Sequence, residues 1–283
     1  TNKIKIAVDK EKVLQNGVVT KEEAHLIEDY IEITLPESGI YKAQLIKLNI
    51  LANNNWERPI YFAGGSSDDG HFLWLQDYLQ LEGLTYRFVP IKSESKNNFE
   101  IGKVNSTLMY ENVMNWDWKS YGNPEVYHDA QGRRQSISFR NNLARLAEKL
   151  IQEGEDEKAL KIIDLAMEKM PVEIFGYYTF VIPFIDGYYT LNQKEKGKHL
   201  AKKIISKYQD SLSYYSSLNF ESQQEFLDDI IYTLQQYNSI LTIFSTKDSK
   251  EFELRKRGNQ GQGLFKDGKF LKFYPVVTRQ DMN

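Results

Sequence analysis

The chain of 283 residues contains no cysteine. That excludes disulfides, thiolate catalysis and cysteine-ligated zinc together, and it leaves the redox compartment open. Histidine is scarce: His25, His71, His128 and His199 are scattered, without the HxxxH or HExxH spacing that brings two ring nitrogens to one metal. Each reads as a surface residue, and no metal or other cofactor is implied. Charge of one sign is not in excess, with 36 basic against 39 acidic side chains and a net of -3. A nucleic-acid surface needs clustered basic charge to displace counterions from phosphates, so no nucleic acid is expected as a partner. No apolar run approaches the roughly 20 residues that a membrane-spanning helix needs. The chain opens at Thr1 without the apolar core of a signal peptide, and it reads as an excised fragment of a longer protein.

What is present suits a folded soluble region. Hydrophobic residues make up 41% and charged residues 27%, enough apolar surface for one large or two ordinary domains. The 18 tyrosines and 15 phenylalanines suit helix–helix seams, with rings buried and hydroxyls wet. A platform for sugar or peptide is the alternative use.

To about Arg134 the chain mixes strand and helix signals. Lys3–Val8 (KIKIAV) and Tyr30–Leu35 (YIEITL) alternate polar with apolar residues, as half-buried strands do. Tyr41–Leu51 reads as a helix, and Arg58–Ala63 (RPIYFA) as a buried strand closed by Gly64 and Gly65. Leu73–Gly83 reads as a helix and Thr85–Ile91 as a strand; Lys92–Phe99 and Asn115–Arg134 read as loops. From Phe139 to about Arg257 the texture is helical, and the glycine-bearing tail reads as loop or short strand over the body, or as partly disordered. The expected fold class is α+β: a small α/β N-terminal layer over residues 1–134, an all-α tetratricopeptide-like helical-repeat region over 135–257, and a tail over 258–283.

The repeat reading rests on Leu143–Pro171 (LARLAEKLIQEGEDEKALKIIDLAMEKMP). With Arg140 at position 1 of the 34-residue tetratricopeptide pattern, Leu143, Leu146, Ala147 and Leu150 line one helix, and Ala159, Ile163, Ala166 and Pro171 fit the second. Ala147 and Ala159 are small where paired helices approach. A second unit starts at Tyr178, with Val181, Phe184, Tyr188, Gly197, Ala201 and Ile204 matching, Ile185 in place of a small residue and Gln209 in place of the proline. A third, degenerate stripe runs through Phe226, Leu227, Ile230, Ile231, Leu234 and Tyr237. In stacked repeats the inner helices turn Asn141, Ala144, Glu148, Ile151 and Gln152, then Thr179, Ile182, Asp186, Tyr189 and Thr190, toward a concave face. The peptide-groove candidates are therefore Asn141, Glu148, Gln152, Ile182, Asp186 and Tyr189; a solvated or covered face is the other use of these positions.

Other motifs carry less. Gly64–Gly70 (GGSSDDG) has neither dinucleotide nor P-loop spacing, and its aspartates would repel phosphate, so it reads as a turn. Asp68, Asp69, Asp77 and Glu82 are near one another in sequence, but a catalytic carboxylate pair is defined by distance in space. Trp116, Trp118 and Tyr121 (WDWKSY) place large rings in a polar stretch, so they either fold back or form a glycan platform.

Ile50–Ala63 (ILANNNWERPIYFA), Asp77–Pro90 (DYLQLEGLTYRFVP), Val104–Met114 (VNSTLMYENVM) and Phe139–Ala147 (FRNNLARLA) together resemble the carboxy-terminal soluble region of the domain-of-unknown-function 2723 family. The resemblance covers roughly Asp9–Tyr214. The family comprises multispanning membrane proteins of Gram-negative bacteria, similar to protein O-mannosyltransferases. It implies a domain on the periplasmic face of the inner membrane, tied to the membrane through spanning segments that this chain lacks. It carries no catalytic residue onto this chain, because the chemistry belongs to those segments. The implied function is a non-catalytic interaction module that binds polypeptide or a partner protein through the helical-repeat groove. The alternative is a glycan-binding module that uses the aromatic loop.

Overall fold

The computed structural model describes residues 3–35, 39–63, 73–93, 101–247, 263–266 and 269–273. The GGSSDDG stretch with Asp68 and Asp69, His71 and most of the Lys92–Phe99 loop lie outside the described residues.

The alternation in KIKIA forms strand β1 (Lys3–Ala7), which pairs antiparallel with β2 (Tyr30–Thr34), Ile4 opposite Ile33 and Ile6 opposite Ile31. Ile31 and Ile33 are fully buried. Helix α1 (Lys10–Gln15) starts at Asp9, whose side chain accepts the Lys12 amide at 3.1 Å. It ends where the left-handed Gly17 lets the Val18 amide return to the Val13 carbonyl at 3.0 Å. Helix α2 (Lys42–Asn53) opens with the Tyr41 amide donating to the Gln44 side chain at 2.8 Å, and it buries Leu48 and Leu51.

A four-stranded sheet follows, in the order β3 (Tyr61–Ala63), β5 (Thr85–Phe88), β4 (Leu79–Leu81), β6 (Lys103–Val104). Its first two junctions are antiparallel, and β4–β6 is parallel. Two expectations are corrected here. The run at Arg58–Ala63 gives a three-residue strand at the sheet edge with Tyr61 and Ala63 exposed, because it has a neighbour on one side only. The helix expected over Leu73–Gly83 is a 3-10 turn over Leu73–Tyr78 followed by β4. Leu79 and Leu81 are buried on a strand flanked by two others, and that placement overrides their helix propensity.

Helix α3 (Ser106–Met114) is capped by Asn105, and α4 covers Ala130–Gln152. α4 begins before the expected end of the loop at Arg134, because Asp129 accepts the Gly132 amide at 2.6 Å and caps the helix across its glycine. It ends at Gly154 (φ 78), with the Glu155 amide bonded to the Leu150 carbonyl at 2.9 Å. By contacts the residues form two units, 1–119 with 138–158 and 120–137 with 159–283. The boundary expected at residue 134 falls inside α4. In the first unit Asn112 and Asn142 donate to the Glu82 and Gly83 carbonyls at 3.0 and 2.9 Å, tying α3 and α4 to the β4–β5 turn. Leu143, Leu146, Ala147 and Leu150 are all buried.

The second unit is helical: most of α5 (Asp156–Lys169), then α6 (Val172–Phe175), a 3-10 turn over Tyr178–Val181, α7 (Ile182–Thr190), α8 (Lys194–Ser217), α9 (Phe220–Glu225) and α10 (Leu227–Lys247). Strands β7 (Gly263–Lys266) and β8 (Lys269–Phe273) form an antiparallel hairpin, with β8 against α8 and α9. Ala159, Ile163, Ala166, Val181, Phe184, Tyr188, Ala201 and Ile204 are buried. α7 and α8 come so close that a Cβ on Gly197 would lie 3.0 Å from the Tyr189 ring. Tyr188 Oη donates to Asp164 at 2.7 Å, and Lys196 pairs with the same carboxylate at 2.8 Å, so one acid joins α5, α7 and α8. On α10 the buried face is Ile230, Leu234, Tyr237, Leu241 and Phe244. Ile231, placed in the third stripe by sequence, is 41% exposed, because the buried stripe of α10 runs through Ile230, Leu234, Tyr237, Leu241 and Phe244 and leaves it to one side. The fold class is α+β.

Gly197→Val should lower the stability of the chain by about 2 kcal/mol, read as a reduced urea midpoint, because the branched side chain must push α8 off α7. A second expectation concerns alkaline pH. Burial pushes the Tyr208 phenol up to about 12 from 10.0. The stability that Tyr208 contributes is intact below its unfolded pKa and is lost as pH rises toward the folded value, since the unfolded chain gives up its proton first. Unfolding free energy should fall between pH 10 and 12, and Tyr208→Phe should flatten that slope in urea titrations.

Candidate functional site

A concavity with a volume of about 650 Å³ lies wholly in the first unit. One wall is the junction of β6 with α3. Gly102 makes that wall possible: its φ is +65, and a Cβ there would lie 2.2 Å from the Leu79 carbonyl oxygen. Only glycine permits this approach of backbones. The chain then places Lys103, caps α3 through Asn105, whose oxygen accepts the Leu108 amide at 3.0 Å, and turns Ser106 and Thr107 to the cleft. The opposite wall is one face of α4, Arg145, Glu148, Lys149, Gln152 and Glu153, spaced i, i+3, i+4, i+7 and i+8. Thr20, Glu22, Glu23 and Ser93 complete the rim.

The charged groups hold one another. Arg145 donates to the Ile101 and Gly102 carbonyls at 2.8 and 3.0 Å, fixing the strand entry. Lys103 meets Glu23 at 2.7 Å. Glu153 accepts from Ser106 Oγ at 2.5 Å and pairs with Lys149 at 3.2 Å. A protein carboxylate thus already stands at the first turn of α3, where a free anion would otherwise be favoured. Gln152 donates to Glu148 at 3.1 Å. The lining mixes amides, hydroxyls and charges of both signs with no aromatic ring, which suits hydrogen bonding to a polar ligand. Among the described residues no group of three or more His, Asp or Glu side chains is arranged to hold a metal, and no helix is long and apolar enough to cross a membrane.

Of the groove candidates, Glu148 and Gln152 line this cleft, whereas Asn141, half-buried on α4, does not. Ile182, Asp186 and Tyr189 lie on α7 in the second unit. There Asp186 pairs with Lys247 at 3.1 Å, and the Tyr189 ring covers Gly197. Among the aromatic-loop candidates, Trp116 and Trp118 are half-buried, 5.4 Å apart and each within 5.7 Å of Phe139. Trp116 also presses on Gly83, where a Cβ would be 3.1 Å from its ring. Tyr121 stacks on Phe175 at 5.2 Å in the second unit, and burial raises its pKa. Trp116 and Trp118 thus lie in the first unit and Tyr121 in the second.

Glu82 is a buried carboxylate that accepts from Tyr61 Oη at 2.9 Å and Gln80 Nε2 at 2.7 Å, with Arg87 at 3.7 Å. Burial, then this hydrogen bond, raises the Tyr61 pKa. With β3, β5 and β4 tied by one acid, the group reads as a clamp across the sheet. The β6–α3 wall was missed by sequence reasoning; the glycine before VNST is its one local sign.

Fold and site together define an α+β module with a polar cleft. Residues 1–108 match the family model described as TMEM260-associated domain 2. The match runs from β1 into the first turn of α3, so it includes one wall of the cleft and not the α4 wall. Comparison with curated proteins and with solved structures returned no match.

Gly102→Ala should destabilise the chain by about 3 kcal/mol, through backbone overlap and a left-handed alanine. Thermal or urea unfolding would show it.

Proposed function

We propose that this chain is a non-catalytic interaction module of a membrane glycosyltransferase-like protein, standing on the periplasmic face of the inner membrane, and that it holds an extended polypeptide segment in the cleft between α3 and α4. The observation that carries this reading is the ordered polar face of α4 opposite the first turn of α3. An extended peptide presents an amide and a carbonyl at each residue, and both must be met when water is displaced. Gln152, Asn105 and Lys149 can donate, while Glu148 and Glu22 can accept. A cleft of this size is within the range of small-ligand sites and suits a few residues of chain.

The membrane context is drawn from the resemblance of the NNNWERP, VNST and FRNNLARLA segments to the domain-of-unknown-function 2723 family. The tetratricopeptide-like reading is supported by the small buried residues Ala147, Ala159 and Ala166 and by the pinched Gly197. Against it stands the 24-residue α8, long for one helix of a 34-residue pair. The polypeptide reading is preferred to glycan recognition by the aromatic loop, because Phe139, Gly83 and Phe175 occupy much of those ring surfaces.

A random-peptide array probed with the purified chain should yield ligands whose affinity falls about tenfold in the Glu148→Ala/Gln152→Ala double variant, with helicity by circular dichroism unchanged. Equal affinity in the variant would reject the cleft as the binding site.

A further inference from the structure

We propose that the outer edge of β1 docks an extended polypeptide in which acidic and apolar residues alternate, added to the β1–β2 hairpin as a further strand. The hydrogen-bond pattern defines the edge. The Val8 amide donates to the Asp29 carbonyl at 3.0 Å. By ladder alternation Ile4 and Ile6 therefore bond to β2, while the amides and carbonyls of Lys3, Lys5 and Ala7 point away from it.

The two edges of the hairpin differ. On β2 the outward Glu32 amide is taken by Tyr78 Oη at 3.1 Å. On β1, among the described residues, no second strand lies alongside and no group bonds to the outward backbone of Lys5 or Ala7. Donors and acceptors at this spacing are matched by another strand; a helix or a small molecule would leave most of them unpaired.

The side chains define the composition of that strand. Lys3, Lys5 and Ala7 are exposed on one face. Lys3 and Lys5 reach the same Glu32 carboxylate, at 2.6 and 3.4 Å, so two cations share one acid and positive charge is left over. Antiparallel pairing with a second copy over the whole strand would set Lys5 against Lys5, which disfavours self-association. A glutamate or aspartate opposite Lys5 is favoured instead. On the other face Ile4 and Ile6 are only half-buried, although Ile31 and Ile33 opposite them are fully buried. With β2 on one side, their open flank lies along the outer edge, where an added strand would lay its apolar residues. A cavity of about 340 Å³ at the Ala7 end, lined by Ile6, Leu51 and Ala52 among others, has room for one such side chain.

The test uses the purified chain and a synthetic peptide of alternating glutamate and valine with blocked ends. The peptide should bind saturably in the micromolar range and slow amide hydrogen exchange at residues 3–8, read by mass spectrometry. N-methylation of its glutamate amides, which face Lys5 and Ala7 in this pairing, should abolish binding. Lys5→Pro should abolish it too with helicity unchanged, because the N–H it removes points away from β2. Lys5→Glu should weaken the glutamate peptide about tenfold and shift preference to a lysine–valine peptide, an outcome that damage to the hairpin would not give. The Glu148→Ala/Gln152→Ala variant should bind as the unaltered chain does, which separates this edge from the cleft. Absence of saturable binding overturns the proposal, as do undiminished binding in Lys5→Pro, unchanged preference in Lys5→Glu, or protection at residues 102–107 and 145–153 in place of 3–8. Protection of residues 3–8 that rises with chain concentration before peptide is added would assign the edge to a second copy and also overturn it.

Discussion

The cleft depends on a contact that leaves no room for a side chain. At Gly102 the backbone passes so close to the Leu79 carbonyl that any Cβ would overlap it. That approach lets two-residue β6 lie parallel to β4, an arrangement with few hydrogen bonds of its own. Arg145 makes up the deficit by holding the carbonyls of Ile101 and Gly102 from α4. Strand, capped helix and opposing helix face are therefore positioned by one glycine and one guanidinium.

Around that junction, charge is used to fix geometry. Glu153 joins the first turn of α3 to α4 through Ser106, and Glu82 joins β3, β4 and β5. In the second unit Asp164 does the same for three helices. Each acid is satisfied by at least two donors, the condition under which a partly buried carboxylate does not destabilise its surroundings.

Much of the local structure was legible because it follows from period and caps. The alternation in KIKIA and YIEIT gave β1 and β2, and the apolar faces around Leu146 and Ile163 gave buried helix positions. β4 was not legible: LWLQDYLQL carries helix-compatible residues, and strands distant in sequence decide its conformation. The start of α4 was missed because a single aspartate cap outweighed the glycine beside it. Glu148 and Gln152 were reached through helical spacing, since residues on one helix face can be counted off. The facing wall depends on how closely two backbones approach, which spacing does not encode. Nor does spacing encode that Asn55 and Trp56 would both be left-handed.

The first unit has a discontinuous sequence, residues 1–119 and then 138–158. On the ribosome its sheet emerges well before the α4 face that supplies Arg145 and the buried Leu143, Leu146 and Leu150. Folding from the amino terminus cannot be completed until residue 158 has left the exit tunnel. Until then the nascent chain displays β6 and α3 without their partner helix.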